Sequence, residues 1–256
     1  MEEPRVIPTT FWSSGELVRG NFVMPPGTGP FPGICKFHGL PGSPDQVHGI
    51  AWQLALAGFA VLTFDFRGFR RSEGFFSLSS EVEDARNAVT HLQESSLTTE
   101  GWVGVYGASF GGAVAVLAAA QDKRINAVCL RAPVYDTAAF VRSPIFSQGV
   151  EQLQLGQIHG MDDPQTRARI LEQLVEESVQ LNPFNEIDSI APRPLFITTG
   201  DADKGIDIAG VRRFFEAAKD PKELVIVEGA DHNLSDPAAY NATVEAVVSW
   251  FQVQRP

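Results

Sequence analysis

Gly107-Ala108-Ser109-Phe110-Gly111 stands between an apolar, strand-like run at 102–106 and an Ala-rich helical run at 112–120. A serine held on a tight strand-to-helix turn, with glycine two residues to either side, requires two elements to pass closely. It also strains the serine backbone and presents its hydroxyl outward. The rest of the chain repeats the strand-then-helix order. Strand-like runs stand at 6–12, 17–24, 33–37, 60–66, 102–106, 125–130, 195–199 and 224–227, and helical patterns separate the later ones. The expectation is an α/β fold with a mostly parallel central sheet of about eight strands flanked by helices. Ser13-Ser14-Gly15-Glu16 between the first two runs reads as a hairpin, which makes that edge antiparallel.

Helix signals fill the gaps. A helix that includes His48 is expected within 45–57. Ser80-Glu81-Val82-Glu83 reads as a capping box ahead of Val82, Ala85, Val89 and Leu92 at helical spacing. Further helices are expected at 111–121 and within 206–218. Asp236-Pro237 begins a last one, expected to bury Tyr240, Val244, Val247, Val248 and Phe251. The segment 134–191 breaks the alternation and is far longer than an ordinary connection. Within it, Asp163-Pro164 starts a helix with an apolar stripe at Ile170, Leu171, Leu174, Val175 and Val179. The reading is a core of 1–133 and 192–256 with an insertion at 134–191.

With 256 residues, 44% apolar and 20% charged, the chain has the make-up of one globular domain with a large core. Its 20 basic against 31 acidic side chains leave a net charge of -11, which argues against nucleic acid or an anionic membrane as partner. The opening residues lack the pattern of a secretory signal and no run approaches a membrane span, so a soluble, cytoplasmic protein is expected. Cys35 and Cys129 lie in apolar strand-like runs and read as buried thiols; two cysteines supply neither a zinc framework nor a disulfide set.

An alkyl hydroxyl is a poor nucleophile at neutral pH, so Ser109 needs a base in hydrogen-bond reach and a group that fixes the base's tautomer. Of His38, His48, His91, His159 and His232, only His232 follows the last strand in a loop, where sheet geometry carries a side chain across to the turn. Asp201 and Asp203 both follow the 195–199 strand, with Asp207 near, and Asp231 sits beside the base.

Four motifs in order, His38-Gly39-Leu40-Pro41-Gly42-Ser43, the Ser109 turn, Gly200-Asp201-Ala202-Asp203 and Gly229-Ala230-Asp231-His232, resemble the α/β-hydrolase superfamily over nearly the whole chain. The resemblance implies a Ser109–His232–Asp203 triad, since the family's Gly-x-x-Asp spacing selects Asp203 and leaves Asp201 as a turn residue. It implies an oxyanion hole from the backbone amides of Leu40 and Phe110, a structural His38, and a small cap at 134–191 over the site. The run from Asp65 to Gly74 resembles the family's Asp-x-Arg-Gly-x-Gly-x-Ser loop, with Arg70 in place of the second glycine. Arg70 and Arg71 are then either solvated charges or contacts for an anionic substrate group.

Within the superfamily the motifs are similar to the small feruloyl and cinnamoyl esterases and neighbouring carboxylesterases. That similarity implies a serine esterase for short-chain or aromatic acyl groups, working through an acyl-enzyme on a small-molecule ester, as monomer or homodimer, with no cofactor and no metal. Phe140, Phe146 and Met161, with Leu40 and Phe110, would wall the acyl group. Serine peptidases, thioesterases and C–C bond hydrolases share the motifs. A noncatalytic ligand-binding protein on the same scaffold is the reading from another class, against which the full set of three residues speaks.

Overall fold

Ser14 and Gly15 both take positive φ, 48° and 82°, the two-residue turn whose twist matches paired strands. They fold β1 (Arg5–Ser13) back onto β2 (Glu16–Met24) in antiparallel register, Ser13 opposite Glu16. The computed structural model describes residues 2–43 and 45–255. Beyond the hairpin come β3 (Phe31–Phe37), β4 (Ala60–Asp65), β5 (Thr98–Ala108), β6 (Ala127–Arg131), β7 (Leu195–Gly200) and β8 (Lys222–Val227). They form one eight-stranded sheet in the order β1-β2-β4-β3-β5-β6-β7-β8. Only the β1–β2 and β2–β4 pairs are antiparallel, the mostly parallel sheet with an antiparallel edge that the sequence predicts.

Strand order reverses between β3 and β5. The crossover through α1 (Ile50–Leu56) goes to β4 on one side, and the one through α2 (Leu78–Gln93) returns to β5 on the other. The carboxyl ends of β3 and β5 therefore border a crevice with no crossover above it, where open α/β sheets place their ligands. One face of the sheet packs on α1 and α8 (Pro237–Gln254), through Ile34, Val61, Tyr106, Cys129, Leu54 and Phe251 among others. The other packs on α2, α3 (Phe110–Gln121) and α7 (Ile208–Ala217). Cys35 and Cys129 are both buried and unpaired, and burial pushes each thiol far up.

The insertion holds α4 (Thr137–Phe140), α5 (Pro144–Glu151) and α6 (Pro164–Gln180), then short 3-10 turns at Pro183–Asn185 and Ile187–Ile190. It docks on the core by backbone: Ile158 bridges Phe69, the His159 N–H donates to Gly68 O at 2.8 Å, and the Arg70 N–H to Gln157 O at 3.2 Å. At the far end of α6, Glu177 accepts from the N–H groups of Leu78 and Ser79 at 2.8 and 3.2 Å, so an insertion carboxylate caps a core helix.

Four local expectations change. The capping box of α2 is Ser77 with Ser80, three residues earlier than read. Glu81 instead lies buried with neither carboxyl oxygen bonded. Helix α8 buries Ala239, Thr243, Val247, Trp250 and Phe251, while Tyr240, Val244 and Val248 are half-exposed; Trp250 stacks on Phe196 of β7. In α6 the inner stripe is Ile170, Leu174 and Ser178, and Val179 faces solvent. His48 precedes α1 rather than lying in it.

Candidate active site

The turn at Ser109 is built by close contact. A Cβ at Gly107 would stand 2.2 Å from Gly111 O, and one at Gly111 would stand 2.5 Å from the carbonyl oxygens of Phe37 and His38. Only hydrogen fits at either position, so β5, α3 and the loop after β3 converge on the serine between them. Ser109 itself sits at φ 55°, ψ -122°, a conformation that a side chain strains to hold. Its N–H donates to Arg131 O, and its carbonyl accepts from Gly112 N and Val134 N, each at 2.9 Å. The strain is fixed by three bonds, and the hydroxyl projects from the N-terminus of α3.

Opposite that hydroxyl stands His232, on the loop after β8. Its Nε2 lies 3.0 Å from Ser109 Oγ and its Nδ1 2.8 Å from Asp203 Oδ2. Asp203 is almost wholly enclosed, and its other oxygen accepts from Gly205 N and Ile206 N at 2.7 and 2.9 Å. Burial opposes its ionisation, but the bond and charge of His232, helped by the two N–H groups, outweigh it and hold the carboxyl below its usual range. An ionised Asp203 fixes the Nδ1–H tautomer and turns the Nε2 lone pair toward the serine, an arrangement able to accept its proton.

The other candidate acids have separate duties. Asp201 accepts from Gly229 N at 2.7 Å and joins the loops after β7 and β8. Asp207 caps α7, and Asp231 accepts from Ser235 N within its own loop.

The loop after β3 lies on the serine's other flank. A Cβ on Gly39 would come within 2.9 Å of Ser109 Cβ, so Leu40 follows immediately above the hydroxyl. Among the described residues, neither the Leu40 nor the Phe110 N–H has a backbone acceptor outside the helices and strands. His38 underpins this loop: one ring nitrogen faces Gly39 O at 2.8 Å and the other accepts from Phe66 N at 3.2 Å. Burial pushes it down to about 3, so it is neutral and donates from Nδ1 to Gly39 O.

A cavity of about 160 Å³ opens beside Ser109 and His232. The insertion supplies Phe140, Phe146, Val150, Leu153, Ile158 and Met161 to its wall, and the core supplies Leu40, Phe76 and Ile206. Phe110 stands one layer behind, fully buried against Phe76 and Phe140, and is not itself a wall as the sequence reading had it.

Arg71 pairs with Asp65 at 3.0 Å, and Arg70 donates to Gly42 O at 2.8 Å. Neither reaches the cavity wall. Arg70 has φ 46°, so the left-handed conformation persists at the position where the related loops carry glycine. Arg131 went unread in the sequence, yet it donates to His232 O at 2.6 Å and steadies that loop. Its signal was a charge closing an apolar strand.

Residues 21–189 match the family model described as X-Pro dipeptidyl-peptidase (S15 family). The chain belongs to that family, on the α/β-hydrolase fold. Among its relatives, the polyketide transferase GrgF of a Penicillium species is 28% identical over 210 residues, 68% of this chain and 71% of that one. A thiohydrolase of Aspergillus aculeatus, AneE, is 23% identical over 93% of this chain and 90% of its own. The structure of Est1E from Butyrivibrio proteoclasticus with ferulic acid superposes with TM-score 0.76 at 18% identity, covering 96% of this chain and 98% of that one. Among the described residues no helix is long and apolar enough to cross a membrane.

Proposed function

We propose that this hydrolase is a serine esterase acting on carboxylic esters with short or aromatic acyl groups, and that 134–191 is its cap. The observation that carries this reading is the bonded chain Ser109–His232–Asp203 at 3.0 and 2.8 Å beside a cavity of apolar lining. Ser109 Oγ attacks the ester carbonyl carbon while its proton passes to His232 Nε2. The oxyanion so formed accepts from the Leu40 and Phe110 N–H groups, each such donor typically contributing about 2.7–4 kcal/mol to the barrier reduction. Collapse breaks the bond to the alkoxy oxygen, which leaves as alcohol with the proton from His232. Water, deprotonated by His232, then attacks the acyl-enzyme and restores the serine.

The family's description raises peptidase action as the second reading. Releasing a dipeptide requires recognition of a substrate ammonium by an acidic group; among the described residues no carboxylate lines the apolar cavity, and Asp45 on the other side of Ser109 is engaged by His48 and Val47. That favours the ester. The test is hydrolysis of p-nitrophenyl esters from acetate to octanoate, methyl ferulate, an acyl thioester and an X-Pro nitroanilide by the wild type and Ser109→Ala. Turnover of the oxygen esters with loss of several orders of magnitude in the variant supports the reading. Cleavage of the nitroanilide or thioester alone overturns it.

A further inference from the structure

Ser109 and His232 have a second open side. Away from the apolar cavity lies a second one of about 450 Å³ with a mixed lining, bounded by the loop after β3, the segment 233–240, Ser109 and His232. Two cations line it, brought together by sheet register. Lys36 pairs with Tyr106 across β3 and β5, and Arg131 with Ala108 across β5 and β6, so strict alternation puts both side chains on one face at neighbouring strand ends.

Lys36 Nζ donates to Gln46 Oε1 at 2.5 Å and Arg131 to His232 O at 2.6 Å. Among the described residues, no carboxylate lies within ion-pair distance of either. Of the 20 Lys and Arg side chains, Arg19, Arg67, Arg71, Arg124 and Lys219 hold one among the described residues, so what sets Lys36 and Arg131 apart is their shared place beside Ser109 and His232. Asp45 at the same cavity is engaged with His48 Nδ1 at 2.7 Å and with the N–H groups of Val47 and His48. Two half-buried cations on one wall beside Ser109, each bonded to a neutral oxygen, leave further N–H donors that an incoming anion would complete. Burial pulls the Lys36 ammonium down to about 8 against the fields of Asp45 and Asp65, with Arg131 adding to the fall.

We propose that this cavity receives an anionic group of the substrate, so that preferred esters carry an apolar acyl group toward the insertion and a carboxylate or phosphate on the alcohol. The inference rests on the esterase reading of Ser109. Its test compares kcat/KM for the butyrate esters of 4-hydroxybenzoate, 4-hydroxyphenyl phosphate and methyl 4-hydroxybenzoate, in the wild type, Lys36→Gln and Lys36→Glu. The anionic-to-neutral ratio, which does not depend on how much protein is folded, falls about tenfold in Lys36→Gln and further in Lys36→Glu. The larger fall between carboxylate and phosphate identifies the group. An unchanged ratio overturns the proposal.

Calorimetric titration of 4-hydroxybenzoate and its methyl ester into Ser109→Ala, with and without Lys36→Gln, makes the same comparison without chemistry. Anion binding that depends on Lys36 in a protein inert to every ester leaves the cavity's role standing and removes the esterase reading. Absence of such binding together with absence of turnover removes both.

Discussion

Asp203 and Asp201 stand two residues apart on one loop, yet only one of them touches His232. Removing the charge of Asp203 reverses the preferred tautomer of the base and leaves its geometry intact, a change that lowers kcat by about 10⁴ in serine proteases with such a triad. Steady-state assays of Asp203→Asn are expected to show a loss of about 10³–10⁴, while Asp201→Ala stays within about threefold. His38 makes a different prediction. Its folded form titrates at about 3, against about 6.5 for a free histidine. Below pH 6.5 the unfolded chain therefore takes up a proton that the folded chain refuses. The stability from a neutral His38 is complete above that pH and drains away as the pH falls toward 3. Urea midpoints should fall from pH 7 to pH 4, and His38→Gln should flatten that fall; parallel curves for the two proteins contradict it.

At the scale of elements, the insertion is both a wall and a clamp. Its α4 and α5 present Phe140 and Phe146, whose rings meet edge to face at 5.6 Å, to the apolar cavity. Phe146→Ala removes wall without touching the bonded chain. The ratio of octanoate to acetate kcat/KM is expected to rise at least fivefold, and a ratio unchanged across the series would place the acyl group elsewhere. The strands and the longer helices were legible because alternating apolar runs and proline-led caps such as Asp163-Pro164 and Asp236-Pro237 act locally, whereas the short α4 and α5 were not read. What escaped was set by tertiary contact. The box at the start of α2 uses Ser80 as its reciprocal partner where a glutamate is usual, and the neighbouring N–H groups go to Glu177 from 98 and 99 residues away. No window of sequence holds that information. Trp250 likewise stacks on Phe196 of β7 at 5.4 Å, a contact between distant segments that periodicity within α8 does not select.

The whole molecule supplies what no element has. Ser109 and His232 are separated by 123 residues and meet because β5, β6, β7 and β8 run parallel and end along one edge of the sheet. The order of the four motifs along the chain made that meeting legible, since parallel strands joined by crossovers bring their carboxyl ends to one edge. Lys36 and Arg131 were not legible. A charge at the end of an apolar run reads as the point where a strand leaves the core, and only the register across three strands shows that the two lie together. Because the site hangs on the sheet as a unit, active-site competence and global structure should be lost at the same urea concentration.

In the proposed mechanism His232, oriented by Asp203, activates Ser109. The most direct measurement is intact-mass analysis after exposure to a fluorophosphonate, on the wild type, Ser109→Ala and His232→Gln, with the labelled peptide sequenced. One adduct on Ser109 in the wild type, none in Ser109→Ala and labelling slowed at least a hundredfold in His232→Gln is the predicted result. An adduct on another residue, or equal labelling rates in the wild type and His232→Gln, would contradict it.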